Sequence, residues 1–179
     1  NETGYGSFSD WKELGYLAVL NYSYDDKYIV DLSYRYDGSS RFAADYRFGS
    51  FWSAGLAWNI DEEDFLADSD IVNTLKLRVS LGEIGNNSVG LNAYQSLFGY
   101  GGSYDDNGAV SPSSFGNAIL TWEKAALYDI GLDFSLLDNR ISGSIVAFNK
   151  ETSDLLQSVP LSLTSGHSSQ TKNIGDLLN

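Results

Sequence analysis

The side chains best suited to covalent or metal chemistry are scarce in this sequence. His167 is the single histidine, it lies in a Ser- and Gly-rich run, and there is no cysteine. A Ser–His–Asp relay or a zinc site would have to be built on that one imidazole, with no ligand spacing around it. It therefore reads as a solvated loop residue. Acidic groups are plentiful, and Asp61, Glu62, Glu63, Asp64, Asp68 and Asp70 gather enough oxygen for a calcium ion, but without EF-hand spacing or its glycine. That run reads as a solvated acidic turn. Asp105-Asp106-Asn107-Gly108 has turn chemistry before it has ion chemistry. Gly99 to Ser103 is Gly-rich but lacks the lysine of a phosphate-binding loop. With 24 Asp plus Glu, carboxylate pairs for glycoside hydrolysis can be drawn almost anywhere and so select nothing. The expectation is a chain that is not an enzyme and has no catalytic residue, metal ligand or cofactor.

Two other sets of residues suit contact rather than catalysis. Tyr94, Phe98, Tyr100, Tyr104 and Phe115 fall in one long polar stretch, where aromatics suit contact with a substrate or a partner protein. Arg35, Lys76, Arg78, Asp129 and Asp133 recur mid-segment among alternating apolar residues, as charges facing a water-filled space would. The formal net charge of −13 would repel nucleic acid, so no nucleic-acid partner is expected.

The elements that must position these residues are strands. From Lys27 to Asp37, Tyr28, Val30, Leu32, Tyr34 and Tyr36 point one way while Lys27, Asp31, Ser33, Arg35 and Asp37 point the other. Leu14 to Tyr24 repeats the pattern, although Leu17 and Val19 make its second face mixed. Trp52, Ala54, Leu56 and Trp58 alternate with Ser53, Gly55, Ala57 and Asn59, and Leu75, Leu77, Val79 and Leu81 with Lys76, Arg78, Ser80 and Gly82. Ala126 to Leu136 alternates in the same way, and Arg140 to Lys150 reads as its return strand. The pattern of that strand drifts between Ile145 and Phe148, which a β-bulge would explain.

Joins at Asp25-Asp26, Ile60 to Asn73 and Asp138-Asn139 alternate with joins at Gly38 to Arg47, Glu83 to Thr121 and Ser153 to Lys172. Antiparallel strands place every second join on one side, so one rim carries mostly short turns and the other long loops. In the exceptional middle join, Glu62 to Leu66 suits one helical turn. A soluble sandwich and a membrane barrel both alternate in this way. Strands of about ten or eleven residues match a tilted bilayer crossing and exceed the usual ~5–6 of soluble sheets. Aromatics at strand ends, such as Tyr22, Tyr24, Tyr28, Trp52 and Trp58, look like interfacial girdles. A soluble extracellular carbohydrate-binding β domain remains the alternative, motivated by 14% aromatic content and an acidic surface.

Ordered motifs separate the two. Asp37-Gly38-Ser39-Ser40-Arg41-Phe42 is followed by Arg47-Phe48-Gly49-Ser50-Phe51, Ser53-Ala54-Gly55-Leu56-Ala57-Trp58 and Leu75-Lys76-Leu77-Arg78-Val79-Ser80-Leu81-Gly82. Leu120-Thr121-Trp122-Glu123-Lys124, Ile130-Gly131-Leu132-Asp133-Phe134, Thr152-Ser153-Asp154-Leu155-Leu156 and Asn173-Ile174-Gly175 complete the series. In order and spacing the set resembles the C-terminal half of SusC/RagA-type TonB-dependent outer-membrane transporters, over nearly the whole chain. The sequence departs from that pattern at Trp52, where the family usually has Pro, and at Glu83, where a neutral residue is more usual.

The resemblance implies an all-β fold, an antiparallel up-and-down transmembrane β-barrel segment supplying roughly seven strands of a barrel of about 22. On that reading residues 1–179 are a partial barrel domain, with the plug and the remaining strands outside it; the absence of methionine also suits a fragment. The implied setting is the Gram-negative outer membrane. The implied partners are outer-membrane lipid, a SusD-like lipoprotein, TonB, and an oligosaccharide or peptide substrate, with the joins Gly38 to Arg47 and Glu83 to Thr121 extracellular.

Overall fold

The computed structural model of the chain describes residues 8–66, 69–105 and 107–179. Asp68, Asp106 and the Tyr104 side chain lie outside the described residues. The strands are β1 (Glu13–Tyr24), β2 (Tyr28–Ser39), β3 (Phe48–Asn59), β4 (Val72–Asn86), β5 (Leu97–Tyr104), β6 (Asn107–Ser114), β7 (Glu123–Leu136), β8 (Ile141–Ser153), β9 (Leu156–Pro160), β10 (Ser169–Asn173) and β11 (Leu177–Leu178). Seven of them form one antiparallel sheet in the order β1-β2-β3-β4-β7-β8-β11. The pairs β5–β6 and β9–β10 form separate hairpins.

Turn chemistry explains the short joins. Asp25 and Asp26 take φ of 53° and 51°, the left-handed conformation that short polar side chains tolerate, and Lys27 N–H closes on Tyr24 C=O at 3.1 Å. Asp138 and Asn139 do the same between β7 and β8, with φ of 54° and 62°, and Leu137 before them takes φ of 55°. In the middle join a 3-10 turn covers Ile60–Glu62, slightly earlier than the sequence suggests, and a second turn closes from Leu66 N–H to Glu63 C=O at 2.8 Å.

Register aligns the apolar residues into rows across the sheet. One row runs Val30, Leu56, Val79, Ile130 and Ala147; below it Tyr24, Tyr28 and Trp58 are consecutive partners, and above it Tyr34 faces Trp52. Among the described residues nothing covers this face: Leu56 is 56% exposed and Ile130 50%. A soluble sandwich needs a second sheet over such a surface, whereas a membrane barrel turns it to lipid between aromatic girdles. Gly143 faces Phe134, whose ring fills the space a side chain would take: an added Cβ would lie 2.9 Å from its Cζ.

The structure corrects two expectations. β8 pairs with β7 without a bulge: Leu132, Gly131, Ile130 and Asp129 face Ile145, Val146, Ala147 and Phe148 in unbroken register. The alternation drifts because Val146 and Phe148 are apolar residues on the face opposite Ile145, with no shift in the backbone. The irregularity in the large sheet lies in β4, between Val72 and Thr74. The two longest joins are also more regular than a Gly- and Ser-rich reading suggests, since one contains the β5–β6 hairpin and the other the β9–β10 hairpin.

Candidate functional site

The family-like motifs meet in one small core near the long joins. Phe42, Phe51, Val89, Leu120 and Trp122 are buried together, with Phe42 and Trp122 ring centroids 5.4 Å apart and Phe51 and Trp122 5.3 Å apart. The Arg47 carbonyl accepts both Ser39 N–H at 3.0 Å and Trp122 Nε1–H at 3.1 Å, tying the end of β2, the start of β3 and the approach to β7. The Phe51 ring lies over Gly49 and Gly85, where an added Cβ would strike it. Arg41 donates to Val89 C=O at 2.9 Å and stacks its guanidinium 5.1 Å from the Trp11 ring. The two departures from the family pattern are themselves register partners, Trp52 on β3 and Glu83 on β4, and Glu83 pairs with Lys124 at 3.1 Å.

The face opposite the apolar belt is a hydrogen-bonded polar wall. Register puts Arg35 of β2, Lys76 and Arg78 of β4, and Asp129 and Asp133 of β7 on it together. Arg78 Nε donates to Asp133 Oδ2 at 2.9 Å, Ser144 Oγ donates to Asp133 Oδ1 at 2.6 Å, and Ser80 Oγ donates to Asp129. Arg35 pairs with Asp37 at 3.0 Å on its own strand, and Asn21 donates to Asp31 at 2.5 Å. Glycines stand opposite several of these groups: Gly15 and Gly49 face Asp37, Gly55 faces Asp31 and Ser80, and Gly131 faces Arg78.

The long joins form the second polar surface. In the first, β5 and β6 rise as a hairpin in which Phe98 faces Pro112 and Tyr100 faces Val110, so these four share one face, with Tyr100 88% exposed. Its tip is the turn expected at Asp105, where Asn107 Nδ2 donates to Asp105 C=O at 2.8 Å. Tyr94 lies apart, half-buried, accepting from Gln95 Nε2 at 2.9 Å.

Phe115 stands apart from these aromatics as well. It packs against His167 of the other long join, ring centroids 5.1 Å apart, beside a cleft of about 430 Å³. The two joins are cross-tied: Asn117 Nδ2 donates to Thr171 C=O at 3.0 Å, Gln170 Nε2 to Gly116 C=O at 2.7 Å, and Asn173 Nδ2 to Thr121 C=O at 2.9 Å, while Asn173 Oδ1 accepts from Thr121 N–H at 2.9 Å. His167 is thus half-buried against an aromatic ring, which corrects its reading as a solvated loop residue. Its partner is 52 residues away, so no local signal announces the contact. Asn173 did carry a signal, since it opens one of the ordered motifs.

Among the described residues no group of His, Cys, Asp and Glu is arranged to hold a metal ion. Glu63 of the acidic run instead accepts from Tyr28 Oη–H at 2.7 Å and Trp58 Nε1–H at 3.0 Å, with Lys27 Nζ at 3.5 Å. These donated bonds, Tyr28 first and Trp58 next, hold its carboxyl below the ordinary carboxylate range. The acidic turn thereby fastens two girdle aromatics, whose rings stack 6.4 Å apart, to the short-turn rim.

Comparison with known proteins accounts for this combination of an uncovered apolar face and a polar wall. The family model described as TonB dependent receptor-like, beta-barrel, matches residues 3–177. TonB-dependent receptor P3 of Formosa agariphila is 40% identical over 164 residues, covering 89% of this chain and 16% of that protein. TonB-dependent receptor SusC of Bacteroides thetaiotaomicron is 38% identical over 174 residues, covering 93% of this chain and 17% of its own length. The solved RagAB peptide importer in its closed-closed state superposes with a TM-score of 0.88 at 32% identity, covering 94% of this chain and 18% of that one. The chain thus spans about a sixth of the length of the curated relatives it matches. It belongs to the TonB-dependent receptor-like β-barrel family, and its large sheet is a section of antiparallel barrel wall.

Proposed function

We propose that the whole protein containing this wall imports oligosaccharides or peptides across a Gram-negative outer membrane, energised through TonB and covered by a SusD-like lipoprotein. The observation that carries the reading is the pairing of an uncovered apolar face with a hydrogen-bonded polar wall in one sheet, in a chain related to SusC and to a peptide importer. On this reading residues 1–179 supply wall and loops, while a plug and further strands belong to the rest of the protein. Arg35, Lys76, Arg78, Asp129 and Asp133 face the lumen, and the long joins are extracellular. The Phe98–Tyr100–Val110–Pro112 face suits the lipoprotein partner, which leaves Tyr94 and Phe115 for the substrate. The uncovered apolar face argues against a soluble carbohydrate-binding domain.

Uptake of radiolabelled oligosaccharide and peptide pools by intact cells tests the proposal, comparing the native strain with strains lacking this gene or the TonB protein. Loss of uptake of one pool in both deletions is the expected result. Undiminished uptake of both pools in either deletion would overturn it.

A further inference from the structure

We infer that the cleft between Phe115 and His167 is a subsite for an uncharged sugar ring, an inference that rests on the importer reading and chooses between its two substrate classes. The cleft is a built feature. Its walls come from two joins far apart in sequence, held together by the side-chain bonds of Asn117 and Gln170 to opposing carbonyls. Its volume of about 430 Å³ falls in the range of small-molecule sites, roughly 300–1,000 Å³.

The lining decides the ligand chemistry. A fifth of the chain is charged, yet among the described residues no Asp, Glu, Lys or Arg lines this cleft. A peptide brings charged termini and side chains, and an acidic glycan brings carboxylates; desolvating either without counter-charges is costly. A neutral sugar needs an apolar surface for its C–H face and short polar groups around its rim. Phe115, partly exposed beside His167, offers the first, and Asn92, Ser113, Ser168 and Ser169 offer the second. The exposed aromatics of the β5–β6 hairpin, Phe98 and Tyr100, do not line the cleft, although Pro112, the register partner of Phe98, does.

The test uses the full-length transporter purified in detergent and isothermal titration with cellohexaose, laminarihexaose and mannohexaose as neutral probes, a hexagalacturonate as acidic probe, and an alanine-rich decapeptide. The expected result is binding of at least one neutral probe, weakened about tenfold or more by Phe115→Ala and by Ser113→Asp but retained in Phe115→Tyr, which keeps the ring. Thermal unfolding of each variant separates lost binding from lost folding. Neutral-glycan binding that is indifferent to Phe115→Ala in a folded variant, binding of no neutral probe, or decapeptide binding lost in Phe115→Ala would each overturn the subsite. The importer reading fails separately, on the uptake experiment, so either can fall without the other.

Discussion

The guanidinium of Arg78 lies flat over Gly131, its register partner on the next strand; a Cβ added there would sit 2.8 Å from Cζ and 2.9 Å from Nε. The missing side chain is what lets Arg78 reach sideways to Asp133. Gly131→Ala is expected to push the guanidinium off the wall and lose that contact. Because both partners are more than a third exposed, the loss is about 0.5–1 kcal/mol. A double-mutant cycle with Arg78→Ala, read by chemical unfolding of the refolded barrel, checks it: the alanine at Gly131 has little further effect once Arg78 is gone.

The two faces of the wall respond oppositely to charge. Leu56→Arg, in the middle of the apolar rows, is expected to cost about 2–4 kcal/mol in lipid vesicles. Val19→Arg, on the opposite face across from Ser33, is expected to cost about 0.5 kcal/mol or less. Equal costs would contradict the assignment of the faces.

Trp122 carries the small core beside the long joins. Trp122→Phe keeps the packing but removes the donor to Arg47, a loss of about 1 kcal/mol, while Trp122→Ala opens a cavity worth about 3–5 kcal/mol. Since the cluster lies at one end of the wall, hydrogen exchange is expected to rise around residues 40–47 and 87–93 while mid-strand amides stay protected.

Glu63 gives the short-turn rim a pH dependence of known sign. Its carboxyl titrates below the ordinary value of 4.5, held down chiefly by Tyr28 and then Trp58. The associated stabilisation is therefore complete above that ordinary value and lost as pH falls through the depressed one. Stability measured from neutral pH down to the acid range is expected to fall less in Glu63→Gln than in the native protein.

Asn173 bonds Thr121 through both its side-chain atoms and also reaches Asp154 C=O at 3.0 Å. Asn173→Ala is expected to speed proteolytic cleavage in both long joins together, with the wall strands uncut. Cleavage confined to one join would contradict their cross-tying.

The large sheet was legible in the sequence wherever one face is apolar throughout, as from Tyr28 to Tyr36, because period two then reports burial against a single medium. It misled where both faces carry apolar groups: Val146 and Phe148 mimic a bulge that the register of β8 excludes. The β5–β6 hairpin is hard to see in the sequence because register shifts at both ends of Phe98–Tyr100 break its alternation, and β9–β10 because its strands are only five residues long. The turn at Asp105 between β5 and β6 was nonetheless read correctly from its residue types. The polar wall could be drawn from spacing alone, residue by residue. The Phe115–His167 cleft could not, since it depends on two side chains that only the cross-tied joins bring together.

Those ties run from one join to the other as well as within each. A disturbance that starts in either join is therefore expected to reach the other through Asn117, Gln170 and Asn173.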